Sequence, residues 1–274
     1  MFYPDESNKV LFGKRILITR PKEQSEIFAR ALADLGAQVE ELPLIQISPP
    51  DSWENFDSAI KRLENYAWLI FASTNAVESS IKRIRFLQLE NKLHKIAIAT
   101  IGPSTAAALQ TLGFESELTP SKAVAESLVQ EFPEAPSSQS RSSRNVLWSK
   151  TNIGRMVIRE ALESKGWIVD VVNSYRTEGP KDPQATAQSL YALLHDRKLD
   201  AITITSSETA KQLHELVKLL GTSQVEIESL MENVKLCVLG PETAKTCETL
   251  FGRVDLQPEK YTISALVEKL AQCL

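Results

Sequence analysis

Cysteine is scarce. Cys237, Cys247 and Cys273 are the only three, and all lie late in the chain. An odd number so placed fits neither a disulfide framework nor the spacing of a metal knuckle, so a reduced, cytoplasmic compartment is expected. Histidine is equally sparse. His94, His195 and His214 fall on a turn or on helical stretches, where they read as surface or satisfied side chains. With no defensible Ser-His-Asp set and no paired carboxylates, the usual hydrolytic machinery is excluded. A basic excess is missing too: 31 Lys and Arg against 35 Asp and Glu give a net charge of −4, which argues against nucleic acid as a partner. No apolar run approaches the length that spans a bilayer, so no membrane partner is expected. Met1-Phe2-Tyr3-Pro4-Asp5-Glu6 carries proline and acids where a secretion signal needs an apolar core. A G-x-G-x-x-G stretch and a P-loop lysine are both absent, which counts against a two-domain glycosyltransferase or a nucleotide enzyme.

What is present is a repeated phrase. Lys235-Leu236-Cys237-Val238-Leu239-Gly240-Pro241-Glu242-Thr243-Ala244 reads as a buried strand, a sharp turn and the first turn of a helix. Lys95-Ile96-Ala97-Ile98-Ala99-Thr100-Ile101-Gly102-Pro103-Ser104-Thr105-Ala106 says the same thing earlier. Proline suits the first helical position because it has no N–H to lose, and the glycine before it is read as easing the exit from the strand. Thr105 and Thr243 then fall beside the free N–H groups of a helix start, a natural place for a carboxylate or phosphate. Each unit by itself is also simply a good helix start.

The repetition is general. Arg20 matches Lys150, Gly36 matches Gly166 and Ser73 matches Ser206 at similar offsets. Short apolar strands are predicted at 15–19, 38–42, 67–72, 95–101, 115–118, 145–149, 167–172, 200–205, 235–239 and 254–257. Helices are predicted at 22–35, 56–63, 74–88, 103–112, 124–131, 155–165, 184–195, after Ser206, 241–250 and from Ser264. Residues 1–12 read as a loose extension, and the Ser- and Pro-rich stretch 133–143 as a mobile loop. With 43% hydrophobic and 24% charged residues, the 274-residue chain can hold one large or two ordinary domains. Alternating strands and helices call for parallel sheets covered on both faces, with ligands gathering beyond the carboxyl ends of the strands. The paired residues fall there: Arg20 and Lys150, Ser73 and Ser206, Thr105 and Thr243.

From about Lys14 onward the sequence resembles uroporphyrinogen-III synthase. The resemblance rests on Ile18-Thr19-Arg20-Pro21, Phe71-Ala72-Ser73-Thr74-Asn75-Ala76-Val77, Ile101-Gly102-Pro103-Ser104-Thr105-Ala106, Ser174-Tyr175-Arg176-Thr177, Thr203-Ile204-Thr205-Ser206-Ser207 and Leu239-Gly240-Pro241-Glu242-Thr243-Ala244, in that order and spacing. It implies an α/β fold of two similar domains, each a parallel sheet flanked by helices, joined by two extended crossing segments. One domain would take residues 1–45 plus 178–274 and the other 48–173, with crossings at 44–48 and 174–177. A tandem pair divided at 134–144 is the alternative.

The resemblance further implies the substrate hydroxymethylbilane, a linear tetrapyrrole with eight carboxylates, and no cofactor and no metal. Water leaves, an azafulvene forms, and the macrocycle closes through a spiro intermediate that inverts ring D. Tyr175 is the implied acid assisting loss of the hydroxyl. Ser73, Thr74, Ser104, Thr105, Ser206, Ser207, Thr243, Arg20 and Lys150 are the implied substrate-binding residues, with Arg155 a lesser candidate. Lys235 opens its strand as in relatives, at the end where a structural role is expected. Two departures stand out. Lys150-Thr151-Asn152-Ile153-Gly154-Arg155 replaces a Gly-rich stretch with Arg, and Glu242 places an acid where it repels a carboxylate near Thr243. A monomer is expected, with room for a transient contact with the preceding pathway enzyme. A non-catalytic, two-lobed binding protein for a small anion is the rival from another class.

Overall fold

Short β-branched and aliphatic runs, each ended by a polar or Gly-Pro turn, alternate with amphipathic helices along the whole chain. The computed structural model describes residues 9–137, 141–195, 199–220 and 229–274, without the side chains of 141 and 142. In order the elements are β1 (Arg15–Ile18), α1 (Glu26–Asp34), β2 (Gln38–Glu41), β3 (Gln46–Ser48), α2 (Glu54–Lys61), β4 (Trp68–Phe71) and α3 (Thr74–Phe86). There follow β5 (Ala97–Thr100), α4 (Pro103–Thr111), α5 (Ala125–Glu131), β6 (Asn145–Thr151), α6 (Val157–Ser164) and β7 (Ile168–Glu178). The last are α7 (Pro183–His195), β8 (Ala201–Ile204), α8 (Ser207–Leu219), β9 (Lys235–Val238), α9 (Pro241–Phe251) and α10 (Ile263–Cys273).

The chain forms two units. The first comprises Met1–Gln46 with Glu178–Leu274. Its sheet runs β2-β1-β8-β9, and every pairing is parallel. Alternation sorts the strands by face. Leu17, Ile202, Leu236 and Val238 pack with Leu190 and Leu213 from α7 and α8. Ile16, Ile18 and Cys237 pack with Phe28 and Leu270 from α1 and α10.

The second unit is Ile47–Thr177, with sheet order β3-β7-β6-β4-β5. The β7-β6-β4-β5 pairings are parallel. Leu69, Phe71, Ile98, Leu147 and Val172 face α2 and α3, and Ile70, Ala99, Val146, Trp148 and Val169 face α5 and α6. The carboxyl ends of these strands carry the site described below.

Several expectations change. No division falls at 134–144, because β4 and β6, on either side of it, are neighbours in one sheet, and β1 pairs with β8. The strands expected at 115–118 and 254–257 reduce to isolated bridges, Ala99 to Leu118 and Cys237 to Leu256. Each is followed closely by a proline, Pro120 or Pro258, which cannot donate to a ladder. Residues 9–12 are not loose: Leu11 is fully buried and its N–H donates to the Leu35 carbonyl. The rest of that expected extension, residues 1–8, lies outside the described residues. Part of the expected loop is pinned as well. The Pro133 carbonyl accepts from Trp167 Nε1 at 2.9 Å, and Ala135 N–H donates to the Lys165 carbonyl. Residues 138–140 of that stretch lie outside the described residues. Both α2 and α6 start and end slightly off the predicted bounds. More consequentially, β6 continues through Lys150 to Thr151, and β7 continues unbroken from Ile168 through 174–177.

Candidate functional site

In the second unit, β4 ends at Phe71 and the chain turns through Ser73 into α3. Ser73 has an extended backbone, and its side-chain oxygen accepts the Ala76 N–H at 3.2 Å, so it caps the helix. The same oxygen lies 3.0 Å from the Tyr175 hydroxyl. Tyr175 reaches it because of an irregularity between β6 and β7. Lys150 pairs with Asn173 but Thr151 pairs with Tyr175, leaving Ser174 with no partner in β6. Strict alternation would put Tyr175 on the face opposite Val172. The extra residue reverses this, and the Tyr175 ring packs in the same cluster as Val172, next to α3.

Tyr175 is 6% exposed. Burial pushes its phenol pKa up, while hydrogen bonds with Ser73 and Thr151 pull it partly back. The group therefore keeps its proton across the physiological range and is a donor. A cavity of about 240 Å³ is lined by Ser73, Trp148, Lys150, Ile153 and Tyr175, among others. Lys150 is buried. Its ammonium donates to the Thr151 and Ile153 carbonyls, both at 2.8 Å, and lies 5.6 Å from the centre of the Trp148 ring. Burial lowers its pKa. The carbonyls and the aromatic face hold the cation without neutralising it, which leaves positive charge at the cavity beside a neutral phenol. Arg155 also lines the cavity and pairs with Glu126 at 3.1 Å.

The other residues expected in this unit stand apart from the cavity wall. Thr74 is the first residue of α3, Ser104 is exposed on the first turn of α4, and Thr105 is buried beneath it. Gly102 and Gly240 precede their prolines with φ of −158° and −145°, extended values open to any residue. Glycine is therefore not needed there for a special backbone. At Gly102 it is needed for space, since a Cβ would come 2.8 Å from the Ala123 Cβ.

In the first unit, Ser206 caps α8, accepting the Thr209 N–H at 3.1 Å. Ser207 donates to the Glu242 carbonyl and accepts from Thr246, so it ties α8 to α9. Thr243 is buried in the first turn of α9. Arg20 follows β1, with Nη2 3.3 Å from the Gln24 oxygen, and its Nε is buried with no partner among the described residues. Burial lowers the pKa of this guanidinium. Lys235 donates to the Cys273 carbonyl at 2.6 Å, at the C-terminal end of α10, which is a structural tie. Of the histidines, His94 and His195 lie tilted against the rings of Phe114 and Tyr191, and His214 meets Phe251 edge-to-face. Among the described residues, no cluster of His, Cys, Asp or Glu is placed to hold a metal, and no helix is long and apolar enough to cross a membrane.

Sequence reasoning missed Thr151 and Trp148. A polar run at a strand end, Ser149-Lys150-Thr151, was the available signal for the first. Trp148 reads as core from its alternation, and most of its packing is core.

The family model described as Uroporphyrinogen-III synthase HemD matches residues 26–268. A relative from Synechococcus elongatus, named uroporphyrinogen-III synthase, is 35% identical over 263 residues, covering 96% of each chain. The chain belongs to the uroporphyrinogen-III synthase family. Two solved members have the same fold. A mutant uroporphyrinogen III synthase from Thermus thermophilus superposes with a TM-score of 0.66 at 16% identity, covering 94% of this chain and 98% of that one. The Helicobacter pylori enzyme gives 0.61 at 14% identity, covering 95% and 100%. Membership in the uroporphyrinogen-III synthase family makes this chain a cyclising lyase of tetrapyrrole biosynthesis, and the binding-protein rival is not favoured.

Proposed function

We infer that this chain converts hydroxymethylbilane to uroporphyrinogen III, with Tyr175 as the proton donor that helps the terminal hydroxyl leave. The observation that carries the residue assignment is the Tyr175 hydroxyl held 3.0 Å from Ser73 at a cavity that also receives the Lys150 ammonium. The C–O bond breaks with its electron pair going to oxygen, the phenol passes its proton to that oxygen as water departs, and the pyrrole N–H proton lost as the azafulvene forms returns to the phenolate. The resulting azafulvene is attacked by ring D through its substituted α-carbon, the spiro intermediate fragments, and reclosure at the other α-carbon of ring D, with loss of its proton, completes the inversion. Net loss is one water. The substrate supplies the reactive groups, so the protein acts chiefly by folding the chain into position.

Lys150 and Arg20 are the cations for substrate carboxylates in this reading, since burial partly desolvates both. Ser73, Thr74, Ser104, Thr105, Ser206, Ser207 and Thr243 border the strand ends as hydroxyl donors. Ser207, already tied to Glu242 and Thr246, contributes least among them. The enzyme works as a cytoplasmic monomer, with the preceding pathway enzyme as its transient neighbour.

The test supplies fresh hydroxymethylbilane with and without the protein, then oxidises and separates the uroporphyrin isomers. Predominant type III supports the reading, and a slower Tyr175→Phe variant assigns the donor. Type I alone, from demonstrably folded protein, would overturn it.

A further inference from the structure

We propose that four serines, Ser79, Ser80, Ser149 and Ser174, are positioning residues that hold the β7 bulge open and thereby set the Tyr175 hydroxyl at the cavity. This rests on the reading of Tyr175 as the proton donor.

An extra residue in a strand leaves backbone groups without ladder partners, and buried polar groups left unpaired are costly. Ser174 is the extra residue, and it is fully buried. Its carbonyl is satisfied from outside the ladder: the Ser79 hydroxyl donates to it at 2.5 Å. Its own hydroxyl accepts from Ser149 at 2.7 Å. Ser149 has a single proton to give and spends it there, so Ser80, 2.8 Å away, donates to Ser149. Ser80 and Ser149 are also buried. The three hydroxyls thus form a directed chain from α3 through β6 to the bulge.

The geometry gives this chain a purpose. Ser73, Ser79 and Ser80 all belong to α3 or its cap, so one helix grips β7 at two points. It holds the backbone beside Tyr175 through Ser79 and the Tyr175 hydroxyl through Ser73. Were the bulge to close, Tyr175 would rotate to the other face of the sheet and lose Ser73. A hydrophobic filler at these positions would supply core volume but no acceptor or donor for Ser174. Packing alone therefore does not explain why small hydroxyl residues stand here.

The experiment compares Ser79→Ala, Ser79→Thr and Ser149→Ala, each alone and combined with Tyr175→Phe. Type III formation gives kcat and KM. The ring signals of Tyr175 in protein made with ¹³C-tyrosine, assigned by their loss in Tyr175→Phe, report its placement. Ser79 is only half-buried, so its variants keep the test alive if Ser149→Ala fails to fold. The expected result is that Ser79→Ala moves and broadens the Tyr175 signals, lowers kcat about tenfold with KM little changed, and is rescued by Ser79→Thr. In the Tyr175→Phe background the same change costs nothing further in kcat, because the group being positioned is gone. Unmoved Tyr175 signals in folded Ser79→Ala and Ser149→Ala would overturn the proposal, as would a full additional loss of kcat in the Tyr175→Phe background. Moved Tyr175 signals in a protein whose kcat is indifferent to Tyr175→Phe would support the positioning role while removing Tyr175 from the chemistry, so the two readings fail separately.

Discussion

The two Gly-Pro turns look equivalent in sequence but should respond differently to alanine. Both glycines have extended backbones, so a Cβ introduces no φ strain at either. At Gly102 the new Cβ would sit 2.8 Å from the Ala123 Cβ and 3.6 Å from its Cα. Alanine has no rotamer to turn aside, so the backbone at Ala123 must retreat by roughly 0.6 Å to restore ordinary contact. Overpacking of this kind costs about 1–3 kcal/mol. At Gly240 the nearest atoms are Tyr261 Cγ at 3.8 Å and Cβ at 3.9 Å, which is ordinary contact. There the reduced entropy of the unfolded chain, worth about 0.4–1 kcal/mol, offsets the poorer helix cap. Gly102→Ala should therefore melt about 3–9 °C below Gly240→Ala by scanning calorimetry, taking about 3 °C per kcal/mol for a chain of this size. Adding Ala123→Gly removes the opposing Cβ and leaves the Cα at 3.6 Å, so it should recover most of the loss in the Gly102→Ala protein. Equal melting of the two single variants, or no recovery in the double variant, would refute the argument from close approach.

Three further outcomes follow from the described groups. Lys150→Met should raise KM for hydroxymethylbilane about tenfold with a smaller change in kcat, because a desolvated cation is lost from the cavity but no proton donor is; an unchanged KM removes Lys150 from carboxylate binding. Burial and the hydrogen bond to Asp170 at 2.6 Å push the Tyr66 phenol up to about 12. The unfolded chain ionises near the usual value of about 10 while the folded protein holds the proton, so this stabilisation is complete below pH ~10 and lost as pH rises toward the folded value. Tyr66→Phe should flatten the fall in urea midpoint across that window, and a parallel fall in both proteins would contradict it. Cys237 and Cys247 are buried and burial pushes both thiols up, Cys247 to about 12. A thiol reagent should thus find at most Cys273 in native protein and all three thiols after denaturation; rapid labelling of three in the native state would show the first unit to be far looser than described.

Much of the architecture was legible because it depends on local chemistry. Apolar runs of four or five residues ended by polar or Gly-Pro turns fixed β1, β4, β8 and β9 nearly to the residue. Ser73 and Ser206 announced their helices because a serine cap acts on N–H groups within the next turn, a distance that sequence spacing measures directly. The likeness between Gly102-Pro103 and Gly240-Pro241 was equally local. Short parallel bridges at Leu118 and Leu256 were over-read as strands because propensity carries no information about a ladder partner.

What the tertiary structure decided concerns groups far apart in the chain. The phenol of Tyr175 meets Ser73 across 102 positions, and only the placing of β7, β6 and β4 in one sheet brings them to the same edge. The bulge at Ser174 has no local signature, since it arises from the register between two strands rather than from either one. The glycines show the same division: their presence before proline was a local fact, but the reason at Gly102 is a neighbour 21 positions later that only folding supplies. Sequence by itself determines which segments become strands, caps and helices, because those follow from forces acting within a turn. Which hydroxyl faces which cation, and on which side of a sheet, follows from packing and register, and those belong to the folded chain as a whole.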